Sequence, residues 1–119
     1  MKLKKGETLL EVRNEFGKLY PGLKLECFEE AHEVNESSEN RSRILGSVVL
    51  DAIVTCDLPV EVNINATMTV GEVEQVFHNA TGLHVQVFRK MNGVWIETVQ
   101  TDHYSLEKQM ELSKNSVHV

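Results

Sequence analysis

Residues 8–28 read TLLEVRNEFGKLYPGLKLECF and residues 69–88 read TVGEVEQVFHNATGLHVQVF; allowing one extra residue at Pro21, the two stretches align throughout. Thr8 with Glu11, and Thr69 with Glu72, each form the Thr-x-x-Glu pattern in which hydroxyl and carboxylate satisfy two orphan donors at a helix start. A helix is therefore expected to begin at each site. Leu9, Val12, Phe16 and Leu19 fall on one face of the first helix, and Val70, Val73, Phe77 and Ala80 on the same face of the second. Gly22 and Gly82 stand where a left-handed residue ends a helix. Leu23, Leu25 and Cys27, then Leu83, Val85 and Val87, follow with the period of a strand. The expectation is a helix followed by a strand, twice.

The flanks extend the repeat. Val60, Val62, Ile64 and Ala66 alternate with polar residues, which predicts a half-buried strand before the second helix, and Leu3 matches Ile64 before the first. Asn92-Gly93 is the strongest two-residue hairpin signal in the chain and turns residues 83–90 back into residues 94–98. Residues 105–109 follow Thr101-Asp102 as a short helix with Asp102 as its cap, matched in the first copy by residues 37–45. Residues 47–56 fit either a strand or a helical face, and their β-branched content favours the strand, ending at the Asp57-Leu58-Pro59 turn. The tail from residue 113 is expected to fray. The fold class expected is α+β: one domain, 1–119, of two pseudo-symmetric β-α-β units at about 2–46 and 60–112. Its two amphipathic helices should lie on one face of a mixed or antiparallel sheet.

Two resemblances rest on these residues. The run VNINATMTVGEVEQVFHNATGL, then HVQVFRK, then TDHYSLEKQ, resembles the central part of a ubiquitin-like β-grasp over residues 60–109. A clear final strand after Leu106 is missing and the chain ends Val-His-Val instead of in a diglycine tail, so the resemblance implies no conjugation role. The chain as a whole resembles a family of small uncharacterised bacterial proteins through GLHVQVFRKMNGVW at 82–95 and TVQTD at 98–102. That resemblance implies no activity.

Composition narrows the function. The chain has 119 residues, 41% hydrophobic and 25% charged, enough for one domain burying roughly two thirds of its unfolded surface. Twelve basic against eighteen acidic residues give a net charge of −6, and both halves are acidic, so a basic stripe for nucleic acid is not expected. The longest apolar stretch, 48–54, is broken by Asp51, which predicts no membrane span, and the basic start lacks the apolar core of an export signal. The four Asn-x-Ser/Thr matches, at Asn35, Asn40, Asn65 and Asn79, then read as coincidental, and the expected setting is cytoplasmic with reduced thiols at Cys27 and Cys56.

Pairing across Asn92-Gly93 sets Met91 against Val94, Lys90 against Trp95 and Phe88 against Glu97. Leu83, Val85, Val87, Met91, Val94 and Ile96 form the expected core face. The other face carries His84, Gln86, Phe88, Lys90, Trp95 and Glu97, with Lys90 placed for a cation–π contact on Trp95. Such a face reads as a contact surface for a protein partner or for self-association, unless the helix at 105–112 covers it. The candidate binding residues are thus Phe88, Lys90, Trp95, His84 and Arg89, and the function expected is a small interaction or scaffolding module. The alternative is an enzyme or small-ligand binder with a site at the junction of the units, drawing on His84, Arg89 and Trp95. No cofactor, catalytic set or metal is expected. The glutamates from Glu26 to Glu39, with Cys27 and His32 among them, read as a solvated acidic loop without metal-ligand spacing. Asp102-His103 are sequence neighbours that do not face each other in a helix, and Gly17 with Gly22 has phosphate-loop spacing but is followed by Leu-Lys where Lys-Ser/Thr is required.

Overall fold

The computed structural model describes residues 1–29 and 42–115. Both helices start where the capping boxes put them: α1 spans Leu9–Leu19 after Thr8, and α2 spans Val70–Thr81 after Thr69. In each, the threonine hydroxyl accepts from the N3 backbone amide while the N3 glutamate accepts from the cap's own N–H. Gly22 and Gly82 take φ of 88° and 79°, the left-handed region in which a side chain is strained, and the chain then turns into β2 (Leu23–Phe28) and β4 (His84–Met91).

Asn92 and Gly93 both have positive φ, as a type I′ turn requires, and lead into β5 (Val94–Glu97) in the expected register. Three antiparallel strands result, in the order β2-β4-β5. A second sheet pairs β1 (Lys2–Leu3) with β3 (Val60–Glu61), also antiparallel. The architecture is α+β, with three α-helices among the described residues; α1 packs on β2 and α2 on β4. Leu9, Val12, Phe16, Leu25, Val73, Phe77 and Val87 form the centre of the core. α3 (Leu106–Asn115) closes on the hairpin through buried Leu106, Gln109 and Ser113.

Several expectations are corrected. Residues 47–56 form no strand; they hold one 3-10 turn, Leu50–Ala52. Their backbone groups go to the start of α1: the amide of Leu9 donates to Val48 and that of Leu50 to Glu7. The strand expected over 60–67 forms only at Val60–Glu61, with one further backbone pair between Val62 and Met1, where the partner segment runs out. Leu19 is half exposed and Tyr20 takes its place in the core. Ser105, and not Asp102, caps α3, its hydroxyl accepting from the Lys108 amide. α3 also continues to Asn115, past the expected start of the frayed tail; residues 116–119, with His118, lie outside the described residues.

The α2 cap gives a direct test. Thr69→Ala is expected to cost about 1 kcal/mol in chemical denaturation, since the Glu72 amide loses its acceptor. Hydrogen bonds from Thr69 hold the Glu72 carboxyl below its ordinary value of 4.5. A carboxyl depressed by folding stabilises above its unfolded pKa and loses that contribution as pH falls through the folded one. A stability loss beginning below pH 4.5 should accordingly be smaller in Glu72→Gln.

Candidate functional site

Paired residues of β2 and β4 share a face, so Leu25, Val87, Cys27 and Val85 look into the core while Lys24, Glu26, Phe28, Gln86 and Phe88 look away from it. That second face is not uniformly open. Phe88 and Gln86 are buried, contrary to their reading as members of a surface patch, whereas Trp95 is 37% exposed and Val94, expected in the core, is 61% exposed. The site lies where the buried part of this face meets the exposed hairpin end.

Glu26 is its electrostatic centre. The carboxylate is 1% exposed and is met by Arg13 of α1 at 3.0 Å, Lys24 at 3.5 Å and Arg43 at 3.7 Å. Opposite it on β4 sits Gln86, whose amide nitrogen donates to the Val87 carbonyl. Glu26 Oε2, Gln86 Oε1 and Arg13 Nε have no hydrogen-bond partner among the described residues. The cations also face aromatic rings. Lys24 Nζ lies 5.2 Å from the centroid of Phe88 and 4.9 Å from that of Trp95, Lys90 Nζ is 5.7 Å from Trp95, and Arg43 lies over Phe28 and Phe88. Partial burial lowers the Lys24 pKa, and the charges of Arg43 and Arg13 push the same way against the opposing pull of Glu26.

An open groove of about 550 Å³ runs from α1 to the hairpin, lined by Arg13, Gly17, Lys18, Lys24, Lys90 and Trp95 among others. Among its described lining residues there is no carboxylate. A second pocket of about 300 Å³ lies beside α2, lined by Glu74, His78, His84 and Asp102 among others, with the two imidazoles stacked at 4.6 Å.

The candidate residues divide accordingly. Lys90 and Trp95 meet as expected, with Lys24 joining them; its position 66 residues before Lys90 gave no local signal, and only the β2–β4 pairing supplies it. Phe88 is buried beneath Lys24 and Arg43. Arg89 is buried on the opposite face, its Nη1 donating to Gln109 and its Nε 3.1 Å from the Met91 sulfur. It ties α3 to the hairpin, so α3 does not cover the Trp95 side. His84 stands on the same face as Trp95, but opposite Phe28 at the far end of β4, about 20 Å from Lys90 by strand rise. The structure therefore does not bring His84, Arg89 and Trp95 together. Of the acidic run, Glu26 is buried and ion-paired on the outer sheet face and not part of a solvated loop, and Glu29 is exposed; the rest of the run from Glu30, with His32, lies outside the described residues. Among the described residues no three His, Cys, Asp or Glu side chains group as metal ligands, and no helix is long and apolar enough to cross a membrane.

The cysteines differ sharply. Burial, with Glu26 adding to it, pushes the Cys27 thiol up to about 12, while Cys56 is half-buried. At pH 8 about one Cys27 in ten thousand is then thiolate, the reactive form. A thiol reagent should modify Cys56 alone in the native protein and both cysteines in denaturant, counted by mass spectrometry; rapid native modification of Cys27 would contradict its burial.

Comparison with protein-family models, curated proteins and solved structures finds no match to this chain.

Proposed function

We propose that this protein is a small interaction or scaffolding module whose contact surface is the hairpin end: Trp95, the lysines beside it and the outer edge of β5. One observation carries the reading. Trp95 is exposed while two ammonium groups stand within 5.7 Å of its ring, on an edge strand with no pairing partner on its outer side among the described residues. Exposed aromatics beside cations are characteristic anchors of protein interfaces, and an open strand edge offers backbone donors and acceptors to another chain. A second copy of the chain and a different protein are both partners of this kind.

A photo-crosslinking amino acid at Val94, compared with one at Lys108 on α3, tests the surface in cells. Discrete adducts from position 94 and none from 108 are expected, and Trp95→Ala should reduce them. Equal or absent adducts at both positions would overturn the reading. If the partner is a second copy, light scattering over a dilution series will show the mass falling as Trp95 becomes accessible to acrylamide.

We further propose that the two units are related by an approximate twofold axis passing between Glu26 and Gln86. Pairings that such an axis would exchange support it: Lys24 opposite Phe88 with Phe28 opposite His84, and Leu25 opposite Val87 with Cys27 opposite Val85. So does the matching of Leu9 N–H to Val48 C=O by Val70 N–H to Tyr104 C=O.

A further inference from the structure

The two pockets occupy corresponding places in the repeat. Arg13 stands five residues after Thr8 and Glu74 five after Thr69; Gly17 and His78 stand nine after the same threonines. Lys24 and His84 each follow the helix-ending glycine by two. One pocket thus carries Arg13, Gly17 and Lys24 where the other carries Glu74, His78 and His84. Glu26 balances Arg13 and Lys24 in this unit, and the uncharged Gln86 stands at its place in the other, so the cations left to explain are Lys18 and Lys90.

Gly17 points the same way. Glycine inside a helix is costly, and it is usually retained where a neighbour leaves no room for a side chain. At Gly17 a Cβ would meet nothing nearer than the Leu23 carbonyl oxygen at 3.9 Å, so packing does not demand glycine. What its missing side chain does is leave the groove open where His78 lines the second pocket.

Among the described residues that line the groove, the charged side chains are all cations. Glu26 is shared by three cations, while Lys18 and Lys90 stand exposed on the groove walls, in a protein whose net charge is −6. Arg13 and Lys18 are separated along α1 by about 7.5 Å of helix rise, and Lys24 and Lys90 lie across the groove on β2 and β4. Cations strung along a groove suit a row of carboxylates better than a single compact anion, and the chain's overall acidity works against a long polyanion.

We propose that this groove binds an extended acidic segment of a partner protein, its carboxylates meeting Arg13, Lys18, Lys24 and Lys90 and one apolar side chain resting on Trp95. The inference rests on the interaction reading and names the chemistry of the partner. Partial burial first, and then the charges of Arg43 and Arg13, lower the Lys24 pKa, and an incoming carboxylate would oppose the second of these.

Trp95, the single tryptophan, reports on the groove directly. The test is a titration of its emission with a ten-residue, tryptophan-free peptide carrying glutamate at alternate positions, beside its glutamine analogue and a ten-nucleotide thymidine oligomer. The expected result is saturable binding of the acidic peptide that weakens with salt and is at least tenfold weaker for the glutamine analogue. Lys18→Glu with Lys90→Glu should weaken it by tenfold or more, and Lys108→Glu should leave it unchanged. Gly17→His, which installs the residue of the second unit, should also weaken it in a protein whose thermal melt remains cooperative. No response to the acidic peptide, an equal response to its glutamine analogue, or tighter binding of the oligonucleotide would overturn the proposal. If crosslinks at Val94 persist in any of those cases, the interaction surface stands and only the acidic partner falls.

Discussion

Glu26→Gln is expected to lower the stability of the protein by about 3 kcal/mol, although the two side chains are nearly the same shape. The carboxylate is almost fully buried and is the shared counter-charge of Arg13, Lys24 and Arg43. Neutralising it leaves three cations facing one another across a partly desolvated space, and breaking one side of a buried ion pair costs about 3–5 kcal/mol. The lower end applies because Arg43 is half exposed and Lys24 is 20% exposed, so both can turn towards water. The readout is the urea midpoint with the slope unchanged. Arg13→Gln in the same chain should recover part of the loss, because one stranded cation is removed with its partner. A Glu26→Gln midpoint equal to that of the wild type would show that the cluster does not depend on its carboxylate. Gln86 stands opposite Glu26 in the strand pairing and already shows that an uncharged amide is accommodated in this layer. The expected loss is therefore one of charge balance and not of packing.

Phe16→Ala is expected to be costlier still, about 4 kcal/mol, with Phe77→Ala close to it. Both rings are fully buried at matching places on α1 and α2, where each helix meets the sheet. Truncation forfeits the transfer energy of the ring and leaves a cavity that a close-packed core cannot fill by relaxation. Against a total stability of about 5–15 kcal/mol for a domain, either change should leave a protein that unfolds near physiological temperature. Leu19→Ala is the control. It lies on the same helix but is 52% exposed, so a cost below about 1 kcal/mol is expected. If Leu19→Ala matched Phe16→Ala, the placement of α1 against the sheet would be wrong.

Leu19 also shows where sequence reading stops. The helical period places it with Leu9, Val12 and Phe16, and an isolated helix would present all four on one face. In the structure α1 ends at Leu19 and the chain turns there, so Tyr20 reaches the core and packs at 5.0 Å on Phe16. Residues 47–56 failed for a related reason. β-branched residues favour a strand only where a partner strand is available, and here the neighbouring backbone is the start of α1, which takes the hydrogen bonds a sheet would have used. The candidate site was half legible. Lys90 and Trp95 are joined by a two-residue turn, so their contact follows from local register. The third member, Lys24, and the burial of Glu26 and Phe88 depend on β2 lying against β4, more than fifty residues away in the chain.

By itself the sequence determined the two capped helices, the glycine that ends the second, the strands that follow and the type I′ hairpin; the first helix stops at Leu19, with Tyr20 and Pro21 before the left-handed Gly22. Each of these depends on groups within a few residues of one another, at spacings that the helix and the strand impose. Only the tertiary structure decided that β2 and β4 pair antiparallel and that three cations converge on one buried carboxylate. It also decided that a groove lined with positive charge opens beside Trp95 in an acidic protein. Those outcomes depend on which distant surfaces are desolvated together, a property of the packed molecule that no local pattern of residues encodes.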